Sequence, residues 1–173
     1  MKAYQSADGR LIASHAMQGV ELPAEPPTRL VARNDVVFAA WGSGVLRFIP
    51  VVETHVEPTA SPARRLAVSS PHGGLRVAVG LAEGGLLLRH DRRTQPFANG
   101  LTDPQVAFTR GGTLVAADRQ SSRAYRTDTG DLRHALDFGG VGEDVIAMTA
   151  TDHPAQFATF TASGQVTVYQ LPA

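Results

Sequence analysis

Cysteine is absent from this 173-residue chain, which removes a disulfide frame, a thiolate zinc site and a thiol nucleophile together. Excess charge is absent too, since sixteen Lys and Arg stand against sixteen Asp and Glu. Neutralising many phosphates needs clustered surplus Lys and Arg, so nucleic acid is not an expected partner. No run approaches the roughly 18 apolar residues of a membrane helix, so no membrane is expected either. Met1 to Arg10 hold no apolar signal core, and the expected location is the cytoplasm. No apolar stripe at i, i+3, i+4 and i+7 runs through three turns without a Gly or Pro breaking it. Helix is therefore a minor component at most. Apolar residues at 43% still exceed what a disordered chain carries.

What the chain does have is a succession of short runs rich in Val, Leu, Phe and Thr, each closed by a turn signal. Arg29-Leu30-Val31-Ala32-Arg33 and Val36 to Trp41 flank Asn34-Asp35, and Gly42-Ser43-Gly44 leads into Val45 to Ile49. Asn, Asp and Gly tolerate positive φ, which suits tight hairpins. The hairpins repeat. Arg65 to Ser69, Leu75 to Gly80 and Leu86 to Asp91 form one unit around Gly73-Gly74 and Gly84-Gly85. Gln105 to Thr109, Thr113 to Ala117, Arg123 to Arg126 and Leu132 to Leu136 form the next, and Asp144 to Tyr169 gives a last one. The fold class is all-β: propeller blades of four antiparallel strands, about four blades, as an arc of a larger ring. The boundaries expected are a partial first blade over 1–22, blades over about 28–60, 64–100 and 104–138, and a last blade over 143–173.

One column supports this division. Tyr4, Phe48, His90, Tyr125 and Tyr169 stand near the ends of the third strands, spaced by about 35 to 44 residues. All three tyrosines of the chain fall in it. A flat ring at a fixed strand position fills the gap between neighbouring sheets.

Leu66-Ala67-Val68-Ser69-Ser70-Pro71-His72-Gly73-Gly74 through His90-Asp91 resembles a WD40 blade. Ser70-Pro71-His72-Gly73 stands where that family has a Ser-Pro-Asp-Gly turn, and His90-Asp91 stands at its Trp-Asp position. Asp128-Thr129-Gly130 resembles its Thr-Gly turn. No blade holds the Trp-Asp pair, and the one tryptophan, Trp41, lies on a second strand, so none of the family's network residues carries over. The chain thus looks like a divergent, bacterial-type WD40-like propeller. That resemblance implies a protein-interaction scaffold.

With strands lettered a to d from the innermost outwards, the chain opens on c and d and ends on c. A ring closed on itself needs only an opening d strand. The surplus c strand therefore points to an arc completed by a partner polypeptide, with a hetero-oligomer favoured over a monomer. A closed four-bladed ring with a frayed start is the alternative.

Chemistry is sparse. His15, His55, His72, His90, His134 and His153 show no metal-ligand spacing, so no metal and no cofactor are expected. No nucleophile elbow or phosphate loop is present, and no catalytic residue is assigned. The predicted innermost strands offer small apolar residues where catalytic propellers offer polar ones. The densest basic run is Arg89-His90-Asp91-Arg92-Arg93, backed by Arg64-Arg65. Arg89, His90, Arg92 and Arg93 are the candidate contacts for an acidic partner; the bland reading is a solvated turn between strands c and d. A metal-dependent hydrolase or lyase, or a sensor of a small ligand, is the alternative function.

Overall fold

The computed structural model describes residues 2–4, 11–14, 27–33, 36–42, 44–49, 53–70, 74–90, 93–97, 100–119, 121–129, 131–136 and 145–173. Every regular element among them is a strand. Strands β1 (Lys2–Tyr4) and β2 (Leu11–Ser14) form an opening hairpin. The first full blade is β3 (Arg29–Arg33), β4 (Val36–Trp41), β5 (Gly44–Ile49) and β6 (Glu53–Pro58). The second is β7 (Ala63–Ser69), β8 (Arg76–Leu81), β9 (Leu86–His90) and β10 (Arg93–Phe97). The third is β11 (Gln105–Phe108), β12 (Leu114–Ala117), β13 (Ser122–Tyr125) and β14 (Leu132–Leu136). The last has three strands, β15 (Val145–Ala150), β16 (Gln156–Thr161) and β17 (Val166–Gln170). All pairings are antiparallel, in a simple up-and-down order within each sheet. Among the described residues the sheets do not close on one another, and the blades form an arc.

The hairpins repeat at the level of single bonds. In the second blade the Leu81 N–H donates to Gly85 O and the Gly84 N–H to Leu81 O. In the last blade the Thr161 N–H donates to Gln165 O and the Gly164 N–H to Thr161 O. Gly84 and Gly164 sit at φ 92° and 89°, a conformation that costs any residue with a Cβ.

Alternation along each strand gives every inner blade two apolar faces, and each face is covered by a neighbour. Phe38, Ala40 and Val45 of the first blade pack on Leu66, Val77 and Val79 of the second. Ala78, Leu86 and Leu88 of the second meet Phe108, Leu114 and Tyr125 of the third. Ala107, Val115, Ala117 and Ala124 of the third meet Met148, Phe157 and Leu171 of the last. Backbone bonds stitch the same joints: the Ala63 N–H donates to Gly42 O at 2.8 Å, and the Gly111 N–H to Pro154 O at 2.8 Å.

Candidate functional site

The register of the third strands decides where the aromatic column falls. Tyr125 lies opposite Leu114 and Tyr169 opposite Phe157. Tyr125 is buried against the second blade. Tyr169 packs towards the third blade and stacks on Phe157, with centroids 5.2 Å apart. Phe48 lies opposite Val37 and Tyr4 opposite Leu11, for both of which the description extends to the backbone. In the second blade the matching place is opposite Val77, and it belongs to Arg89. His90 is one residue further, opposite Arg76 and Arg93, and alternation puts it on the other face.

That shift separates the basic run. Arg89 lines a cavity of about 230 Å³ between the first and second blades, together with Phe38, Val45, Arg47, Val77 and Leu87. His90 is half-buried on the face towards the third blade. Arg93 opens β10, and Arg92 lies outside the described residues. Arg89 and His90 therefore lie on opposite faces of the second blade. Arg64 and Arg65, read from sequence as backing this run, instead join Arg29 around a central space of about 210 Å³. The innermost strands of all four blades line it, with Leu66, Val106, Ala147 and Met148 as its apolar part. A bulge between Ala63 and Arg65 is what brings Arg64 into line with its neighbour. Those arginines were the missed residues: apolar runs dominate the sequence signal, and the bulge carries none.

A polar cleft of about 560 Å³ opens beside them, lined by Arg65, Asp103, Gln105, Asp118 and Arg119 among others. Asp103 sits at φ 43°, the one non-glycine residue in that region among those described, and its Oδ2 lies 3.5 Å from the Arg65 guanidinium. Asp118 accepts from the Thr102 and Ser121 N–H groups at 2.9 and 2.8 Å and so fixes its own turn. On the outer rim Arg126 donates to Asp128 at 2.9 Å. That bond holds the Asp128 carboxyl below the ordinary carboxylate range and raises Arg126. Among the described residues no three His, Asp or Glu side chains converge as metal ligands. His153 accepts from the Ala155 N–H within its own turn, and His15 and His72 lie outside the described residues.

The largest contrast between blades is at the end of the arc. Among the described residues strand β17 pairs with β16 alone. Directly paired residues share a face, so Phe160, Val166, Ala158 and Val168 lie together on the side away from the third blade. Val166 and Val168 are 63% and 56% exposed and Phe160 is 40% exposed. The matching positions of the third blade, Ser122, Ala124 and Ala117, are covered.

No family profile and no curated protein sequence matches the chain. Solved structures do. U3-55K superposes with TM-score 0.72 at 20% identity, over 90% of this chain and 51% of its own. Hsv2p of Kluyveromyces lactis gives 0.67 at 14%, over 96% and 54%. Virginiamycin B lyase of Staphylococcus aureus gives 0.58 at 12%, over 83% and 55%. The chain is a β-propeller arc. It spans about half the length of these three propellers. At such identities the likeness carries the fold and leaves function to the site. Among the described residues no helix is long and apolar enough to cross a membrane.

Proposed function

We propose that the arc is a non-catalytic protein-interaction scaffold of the cytoplasm, joined to a partner polypeptide that carries further blades. One observation carries this reading: the face of Phe160, Val166 and Val168 is apolar and uncovered, while every repeat-equivalent face is buried against a neighbouring blade. Contiguous exposed apolar surface marks an interaction site. Beside it β17 presents an unpaired edge, and such an edge templates pairing with a further strand. The same chemistry already operates in the fold: strands pair edge to edge within each blade, and blades pack face to face. A lyase of the same architecture keeps an enzymatic reading in view, but no convergent acid, base or metal-ligand set is found among the described residues.

Light scattering of the purified chain tests the proposal. The expected particle is heavier than 18.3 kDa, or the chain is unstable until a blade-bearing partner is co-expressed. A monomer that melts cooperatively and binds no such partner overturns the scaffold reading.

A further inference from the structure

The joint between the first and second blades holds a guanidinium side chain at the column position, and this carries a ligand site. At the second–third joint the column position holds the ring of Tyr125, and at the third–last joint that of Tyr169. At the first–second joint it holds Arg89, opposite Val77, and the space a ring would take remains a cavity of about 230 Å³. The cavity lies where a flat ring fills the other two joints. Its walls are apolar on both sides, Phe38 and Val45 from one blade and Val77 and Leu87 from the other. Two guanidinium side chains reach it, Arg47 from β5 and Arg89 from β9. Both are half-buried, and each has an interaction within the fold.

We propose that this cavity binds a small arene carboxylate, its ring in the place of the missing tyrosine and its carboxylate on Arg47 and Arg89. The size fits. An apolar cavity of about 150 Å³ holds benzene, and the additional volume here accepts one carboxylate group. The charge fits as well, because a guanidinium presents paired N–H donors to a carboxylate, and partial burial strengthens that bond. An aliphatic acid leaves the flat part of the space unfilled, and a neutral arene forgoes the charge-assisted bonds. The site is independent of the open last blade and stands or falls without it.

Benzoate is the probe, with benzyl alcohol and acetate as the ring-only and charge-only controls. Calorimetric titration and thermal melting of the whole chain are the readouts. Benzoate is expected to bind one to one and raise the melting temperature, with each control at least tenfold weaker, since bonds to charged groups and ring burial each contribute that much. Arg89→Tyr supplies the missing ring from the protein. It is expected to melt no lower than the parent and to lose benzoate binding at least tenfold. Should Arg89→Tyr fail to fold, Arg47→Met decides, because it leaves the ring space intact and removes one guanidinium; a tenfold loss supports the site. Benzoate binding no better than acetate, or unchanged in a folded Arg89→Tyr or Arg47→Met protein, overturns the proposal.

Discussion

Ala124 and Val168 occupy one register position in successive blades, and an aspartate at each makes a matched pair of perturbations. Ala124 pairs with Val115 and Val168 with Ala158, each at the same place on strand c. Ala124 is 0% exposed within the third–last joint, whereas Val168 is 56% exposed on the open face. In Ala124→Asp the added carboxyl is set among Ala107, Val115, Met148 and Phe157, with half-buried His134 as its cross-strand partner. It takes up a proton instead of remaining charged, which at pH 7 costs about 4 kcal/mol, three pH units above an ordinary Asp at roughly 1.4 kcal/mol per unit. Overpacking a joint of alanines adds about 1–3 kcal/mol. The sum, about 5 kcal/mol or more, rivals the whole stability of a small domain. Val168→Asp on the dilute chain is expected to stay within about 0.5 kcal/mol, as surface changes do, while association through the open face is lost. Urea unfolding followed by circular dichroism measures both. The sign with pH is a further check: the introduced carboxyl has a raised folded pKa, so the penalty is present above the ordinary Asp range and shrinks as pH falls towards 4. Equal losses at the two sites would show the last face to be covered, and a tolerated Ala124→Asp would show the blade register to be wrong.

Tyr125→Ala is expected to cost about 3 kcal/mol in the same unfolding assay, and Tyr169→Ala less, because that ring is only half-buried; a loss under about 0.5 kcal/mol at both sites refutes a packing role for the column. Gly111→Ala sets a Cβ 2.7 Å from Pro154 O and breaks the 2.8 Å bond between the third and last blades, so a loss of about 1–3 kcal/mol and faster exchange of the Gly111 amide are expected. An NMR titration is expected to find the Asp128 carboxyl below the ordinary range, returning towards it in Arg126→Gln. Any stabilisation from this exposed pair is present above the unfolded carboxylate range, is lost as pH falls through the depressed value, and weakens with salt.

Architecture was legible because each of its causes is local. Period-two alternation marks the strands, and the glycines at positive φ mark the hairpins. The column was legible at Tyr125 and Tyr169, where ring chemistry and register coincide. In the second blade the register position falls on Arg89, and the ring of His90 stands one residue later, so ring chemistry alone points past the position. The central arginines were illegible for a related reason. Bulges at Ala63/Arg65 and Val145/Ala147 set Arg64 and Ile146 out of alternation, and no local motif announces them.

Both open features of the arc are matters of complementary volume between blades. The third–last joint sets Ala107, Val115, Ala117 and Ala124 against Met148 and Phe157, and the second–third joint sets Leu86 and Leu88 against Phe108, Leu114 and Tyr125. The first–second joint places large residues on the outgoing side, Phe38 among them, against an incoming face without a ring, and about 230 Å³ stays unfilled. The last face is also bulky, with Phe160, Val166 and Val168 at positions where the third blade has Ala117, Ser122 and Ala124. The second blade has Leu86 and Leu88 where the last has Val166 and Val168, and Phe108, Leu114 and Tyr125 of the third cover them. A mate for the last face can therefore carry rings opposite Val166 and Val168, and it has to make room only at Phe160, where the second blade has Gly80 and the third Ala117.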